Sequence, residues 1–292
     1  MHKKEAKGIL SAHNGMNINR GCTHGCIYCD SRSKCYRIEH DFEDVQIKSN
    51  APALLEDALK RKRKKCMIGT GAMTDPYLSI PENLTNIRAC LEIIEKYGHG
   101  LAILTKSDLI LRDLDLLISI NKKAKCIVQT TLTTFDEKLC SIIEPNVCGT
   151  KRRFEVLEIM RDNGIQTIVW LCPFLPFIND TEENVRGVLD YCIKAKVYGI
   201  LCWDIGLTLR DGNREYFYSK LDEHFPGLRD VYHKKYGYSY SISSDNSKTL
   251  MKLVHVACKE HNIVLGNETL FRYMNTFDEK NKPVKETQIE LF

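Results

Sequence analysis

The stretch Arg20-Gly21-Cys22-Thr23-His24-Gly25-Cys26-Ile27-Tyr28-Cys29 sets three thiols in a C-x3-C-x2-C spacing. Thiolates this close in sequence can wrap one iron–sulfur cubane, but the usual cubane takes four cysteines. One ligand too few leaves a coordination position open, as catalytic metal sites do and structural ones do not. Gly21 and Gly25 let the loop curl and bring bare backbone N–H groups close to whatever it holds. A zinc knot is the competing reading, built on Cys22, Cys26, Cys29 and either Cys35 or His24. It would make the chain a zinc-stabilised nucleic-acid-binding module without catalysis. Structural zinc sites favour paired CxxC or CxxC…HxxxH elements, and no second pair stands in the sequence. Cys35 as a fourth iron ligand would close the open position.

The other cysteines ask for less. The chain has 13 in 292 residues, an odd number and too sparse for a disulfide scaffold. Cys90, Cys192 and Cys258 fall on apolar helical stripes, where a free Cys is a small core hydrophobe. Hydrophobic residues at 43% and charged residues at 27% are ordinary for a globular chain and exclude disordered and fibrous classes. A net charge of +4 is too mild to announce nucleic acid or an anionic membrane by itself. Met1 to Lys7 has no apolar stretch behind it, and no run approaches 18 apolar residues. The expectation is a soluble, cytoplasmic protein with no membrane partner.

Elements that could position the thiols follow from periodicity. Short apolar runs at Met16–Asn19, Cys66–Gly69, Leu101–Thr105, Cys126–Thr131, Thr167–Cys172 and Gly199–Trp203 read as strands. Helical stripes lie between and after them: Leu84, Ile87, Leu91, Ile94 and Tyr97; Val185, Val188, Leu189, Cys192 and Ile193; Leu250, Leu253, Val254, Ala257 and Cys258. Gly164 marks the end of a helix over 151–163, and Asp180-Thr181 caps the start of another. Six strand–helix units predict a parallel α/β sheet wound as a partial (β/α)6 TIM-like barrel, with chemistry at the strand C-termini. Residues 1–13 are a lead-in and 14–207 the partial barrel. Residues 208–292 form a C-terminal helical, aromatic-rich extension that ends in a polar tail from about Asp278.

Set in this order, the segments resemble the radical S-adenosylmethionine (SAM) enzymes, and Tyr28 before the last Cys matches as well. The resemblance tightens to the spore photoproduct lyase-like family, often labelled DNA repair photolyases. It rests on Arg20-Gly21-Cys22 onward, Thr74-Asp75-Pro76-Tyr77, Thr105-Lys106-Ser107 with Arg112-Asp113-Leu114, Glu144-Pro145 with Arg153, and Pro173 to Asn179-Asp180. These occur in family order from about residue 14 to 240. The resemblance implies a 4Fe–4S cluster on Cys22, Cys26 and Cys29, with SAM on the iron left free. It also implies an electron donor of flavodoxin or ferredoxin type and cleavage of SAM to a 5′-deoxyadenosyl radical. That radical would take a hydrogen atom from a substrate, and an open barrel side admits one as large as a nucleic acid.

By the same resemblance, Tyr28, Thr74 and Asp75 line the SAM site, Gly69 and Gly71 give close approach to its amino group, and Lys106 meets its carboxylate. Thr131 is a hydroxyl donor. Plainer readings stand beside these: an Asx turn for Thr74-Asp75, a solvated Lys106, and a structural Glu144–Arg153 pair. One departure matters. The family's hydrogen-donating Cys ahead of the Thr-Asp pair is absent from Gly71-Ala72-Met73-Thr74-Asp75. Cys172, Cys202 or Tyr77 would have to replace it, although the two cysteines read first as core. The basic run Lys60 to Lys65 precedes the second strand and so reads as a solvated face at the rear of the barrel. Phe217, Leu221, Phe225, Leu228 and Tyr232 read as core packing.

Overall fold

The structure is a computed structural model, and it describes residues 1–278. The expected polar tail beyond Asp278 lies outside the described residues. Strand β1 (His2–Lys4) leads to β2 (Gly15–Met16) and β3 (Asn19–Arg20), and the cysteine loop then runs on to β4 (Gln46–Lys48). Strand and helix alternate from there: α1 (Ala51–Arg61), β5 (Met67–Thr70), α2 (Pro81–Lys96), β6 (Gly100–Leu104), α3 (Leu114–Lys123) and β7 (Cys126–Thr131). Next come α4 (Glu137–Ile143), α5 (Thr150–Asp162), β8 (Gln166–Trp170), α6 (Glu182–Lys194) and β9 (Gly199–Leu201). The C-terminal part adds β10 (Gly206–Thr208), α7 (Asn213–His224), α8 (Leu228–Tyr236), β11 (Ser241–Ser243), α9 (Ser247–Glu260), β12 (Val264–Leu265) and α10 (Asn267–Asn275).

The main sheet runs β12-β9-β8-β7-β6-β5-β2 with every neighbouring pair parallel. It is the partial α/β barrel expected, with seven strands in place of six. The seventh, β12, is two residues long and too short to show a period. The first expected strand is divided. Gly15 and Met16 join the main sheet, whereas Asn19 and Arg20 leave it to pair with β4 and turn the chain into the cysteine loop.

Alternation along the strands sorts the core. Ile68, Leu101, Ile103, Cys126 and Val128 face outward into the helices, where Ile87, Leu91, Ile94 and Cys90 of α2 meet them. Met67, Ala102, Ile127, Ile168 and Leu201 face inward and pack on Leu270 and Met274 of α10, which stops the rear of the barrel. Helices α6 and α9 share a second core with Val185, Val188, Cys192, Leu250, Val254 and Cys258. Phe217, Leu221 and Tyr232 are buried as expected, with Phe225 and Leu228 packed beside them. The caps also fall where the sequence puts them: Thr181 accepts from the Asn184 N–H, and Gly164 takes the left-handed conformation (φ +72°) after α5. Lys60 and Arg61 sit at the end of α1 on Glu56 and Asp57, at the opposite end of β5 from the cysteine loop. Among the described residues, no helix is long and apolar enough to cross a membrane.

Because α10 is the stopper of the barrel, Leu270→Ala should lower unfolding free energy by about 2–5 kcal/mol. Denaturant unfolding measures this, and a loss well under 1 kcal/mol would show that α10 is not part of the core.

Candidate active site

A cavity of about 420 Å³ opens at the C-terminal ends of the strands, within the usual size for a small-molecule site. The last inward-facing positions line it: Gly71, Leu104, Lys106, Thr131, Trp170, Cys172 and Trp203. Cys22, Cys26 and Cys29 form its other wall, with His24 and Tyr28 between them. The strands β10 and β11 add Gly206, Leu207, Thr208, Ser241 and Ile242.

Several bonds fix the cysteine loop. The Cys22 N–H donates to the Phe42 carbonyl at 2.8 Å, and the Ile27 N–H to the Ile143 carbonyl at 3.0 Å. Asn146 donates its N–H to the His24 carbonyl (3.1 Å) and its side-chain amide to the Thr23 carbonyl (2.8 Å). Gly21, at φ +82°, lies so close to the Phe42 carbonyl that an added Cβ would sit 2.4 Å from its oxygen. Burial, and then Asp75, push the Cys22 thiol up to about 12, and burial raises Cys26 as well. These thiols stay protonated until a metal displaces the proton.

Asp75 reaches the cavity, but the protein occupies its oxygens. It accepts from the Tyr77 N–H (2.8 Å), the Thr105 hydroxyl (2.7 Å) and the Lys106 N–H (2.8 Å), with His24 Nδ1 at 3.5 Å. The Asx turn is therefore real, and the carboxylate clamps the ends of β5 and β6 to the cysteine loop. The Thr74 hydroxyl donates to the Asn19 side chain. Burial keeps His24 below its ordinary value and so neutral.

Under the loop lies a buried polar knot. Glu144 accepts from the Tyr28 hydroxyl and pairs with Arg153, as the structural reading of that pair expects. Arg153 also donates to the carbonyls of Thr131 (2.7 Å) and Cys148 (3.1 Å). Burial opposes the Lys106 ammonium, but Cys26 and Glu144 outweigh it and raise its pKa. Lys106 lies over the Tyr28 ring at 5.8 Å, and among the described residues its ammonium has no hydrogen-bond partner.

The glycine pair separates. Gly71 lines the cavity at φ +99°, and an added Cβ would strike the Leu104 carbonyl oxygen at 1.8 Å. Gly69 sits inside β5, one inward layer deeper, and does not line the cavity. Cys35 is exposed beside Arg210, away from the cavity. Of the three substitutes for the missing thiol, Cys172 alone lines the cavity. Cys202 packs on Met251, and Tyr77 is core with its hydroxyl on Asp113. Sequence reading missed Trp170 and Trp203. Their rings lie 5.4 Å apart, and the Trp170 indole N–H is anchored on Gln129. The available signal was parity: Trp170 pairs with Thr131, and Trp203 continues the inward row of Leu201 two residues beyond the end of β9.

The donor set fits a cluster better than an ion. Sulfurs around one zinc at ~2.3 Å must converge to within about 4 Å of each other. Among the described residues, no three His, Cys, Asp or Glu side chains are placed to hold one metal ion. A cubane is larger and spreads its ligands, and three soft thiols with no fourth suit it.

Known proteins give the same answer. The chain is 28% identical over 229 residues to an uncharacterised protein of Mycobacterium tuberculosis, covering 76% of this chain and 66% of the relative. It is 30% identical over 225 residues to an uncharacterised protein of Acidianus two-tailed virus, covering 71% of each. The chain thus spans just under two thirds of the mycobacterial relative. Its fold is similar to that of spore photoproduct lyase complexed with dinucleoside spore photoproduct, with a TM-score of 0.60 at 13% identity over 84% of this chain and 72% of that one. The model of the radical SAM superfamily, whose cofactors are a 4Fe–4S cluster and SAM, matches residues 16–192. That is more than half the chain, and the protein belongs to the radical SAM superfamily.

Proposed function

We propose that Cys22, Cys26 and Cys29 hold the 4Fe–4S cluster and that the cavity beside them binds SAM, so that the chain is a radical enzyme. The observation that carries this reading is the meeting of three thiols, the unpartnered Lys106 ammonium and two tryptophans on one cavity. Bound together, cluster and SAM supply one-electron reduction of a sulfonium and a carbon radical able to abstract hydrogen.

The chain's own residues bind and orient. Lys106 offers a desolvated point charge to the SAM carboxylate. Gly71 lets the polar end of SAM approach the backbone, and Thr131 offers a hydroxyl. Trp170 and Trp203, at the ends of β8 and β9, offer a stacking face to the adenine. Tyr28 holds its phenolic proton on Glu144, because burial and then Glu144 raise it well above its ordinary value. Asp75 acts as a positioning residue, holding Lys106 and the cysteine loop in register. The family needs an external reductant, and a flavodoxin or ferredoxin type fits a cytoplasmic enzyme with 13 cysteines. Residues 14–207 supply the catalytic barrel in this reading, and the described part of the 208–292 extension, to residue 278, completes its wall and its rear.

The reading extends to a nucleic-acid substrate because a basic cleft shares Met73 and Thr74 with the cavity. It does not extend to repair of spore photoproduct, since Ala72-Met73 supply no thiol where that lyase-like family carries one.

Anaerobically reconstituted protein should be brown, with about four irons per chain, and should form 5′-deoxyadenosine from SAM once reduced. Cys22→Ala, Cys26→Ala and Cys29→Ala should each lose both properties, whereas Cys90→Ala and Cys258→Ala keep them. A colourless zinc protein, or full iron content in Cys22→Ala, would sink the proposal. SAM titration separates the binding roles. Lys106→Met should keep its iron and bind SAM about ten- to a hundredfold more weakly, the effect of removing one charge-assisted hydrogen bond. Trp203→Ala should weaken SAM binding by about 1–3 kcal/mol. Unchanged affinity in both variants would remove these residues from the site.

A further inference from the structure

Beside the catalytic cavity lies a second cleft of about 530 Å³, and Met73 and Thr74 line both. Its walls carry four cations, Lys4, Lys7, Arg20 and Lys48, and one carboxylate, Glu5. The small sheet β1-β4-β3 places three of the cations. Lys4 stands directly beside Lys48 in the parallel β1–β4 pair. Arg20 pairs with Gln46, two residues from Lys48 and therefore on the same face. Like charges set side by side on paired strands repel, and an anion seated between them would relieve that repulsion. Elsewhere cations meet carboxylates: Lys3 is on Glu82, Arg88 on Asp113 and Asp115, Arg152 on Asp108. Among the described residues, none of the four cleft cations takes part in an ion pair. Arg20 is held by the carbonyls of Tyr36 (2.7 Å) and Arg37 (3.1 Å), which fix its position and leave its charge unmet. Burial, and then Arg20, hold the Lys48 ammonium below its ordinary value.

We propose that this cleft binds a phosphate ester of the substrate, seating the anion on Lys4, Lys48 and Arg20 while the group to be attacked passes Met73 into the cavity. The second half of this statement rests on the radical SAM reading; the anion site does not. Lysines supply point charges, and Arg20 supplies a fork that suits phosphate oxygens. A site for one or two phosphates beside a small cavity suits a strand that offers one base at a time, or a small phosphorylated molecule.

The test is fluorescence anisotropy of a labelled single-stranded oligothymidylate on the full-length, iron-loaded protein without reductant, across a salt series. Lys4→Gln and Lys48→Gln should each weaken binding severalfold, and the double variant tenfold or more. The salt slope should fall by about 0.7 for each phosphate that a variant no longer neutralises. Lys60→Gln/Lys62→Gln, in the rear basic run, should bind as the parent does. Competition by thymidine monophosphate separates the sources. Full displacement at millimolar concentration supports a small phosphate ester, and resistance supports a strand. Thermal unfolding of each variant shows whether it folds, and Arg20→Lys, which keeps the charge, should bind better than Arg20→Gln. Binding that follows Lys60 and Lys62 instead, or no binding by either anion, would overturn the proposal. SAM cleavage is measured separately, so its failure would sink the enzyme reading and leave the anion site standing.

Discussion

The Glu144 carboxylate is shut away from water beneath the cysteine loop, and the Arg153 guanidinium that meets it is equally buried. Much of the site hangs on that pair. Burial works against the Glu144 charge, yet Arg153 and Lys106 hold its pKa below the usual carboxylate value. The ionised carboxylate accepts from Tyr28 in the cysteine loop, and Arg153 ties down the ends of β7 and of the α4–α5 loop. Removing either partner would strand the other as a buried charge, at a cost of about 3–5 kcal/mol. The pair also explains how an ammonium is kept in a buried cavity wall: the ionised Glu144 carboxylate favours the charged form of Lys106 across the knot. Asp75 supplies the complementary clamp from the β5–β6 side. Between them, the two carboxylates turn a Gly-containing loop into a fixed wall.

The barrel then divides the labour along its axis. Inward residues at the rear are apolar and capped by α10, while those at the front are Gly71, Lys106, Thr131, Trp170, Cys172 and Trp203. Strand C-termini carry the chemistry because each loop that follows is free to vary without disturbing the sheet.

Much of this was legible because it is periodic or local. The strands alternate, the amphipathic helices bury the stripes expected of them, and C-x3-C-x2-C is a contiguous signal. What escaped was set by pairing across the chain. A two-residue strand at Val264–Leu265 has no period, and its place beside β9 depends on the helix before it folding onto α6. The split of Met16–Asn19 follows from β4, 27 residues later than Asn19, which draws β3 out of the sheet. Asp75 reads alike as an Asx turn or a ligand residue until Thr105 and the Lys106 N–H are seen on its oxygens. Gly69 and Gly71 differ only in which layer of the barrel they face. The tryptophans carried no motif, only a shared parity with Thr131.

The central claim is that one iron of a three-cysteine cluster stays open and takes SAM beside Lys106. Electron paramagnetic resonance of the dithionite-reduced, iron-loaded protein tests it most directly. A reduced-cluster signal should appear, and SAM should change its g values in the parent protein and not, at the same SAM concentration, in Lys106→Met. A signal indifferent to SAM in the parent protein would mean a closed cluster and would contradict the account.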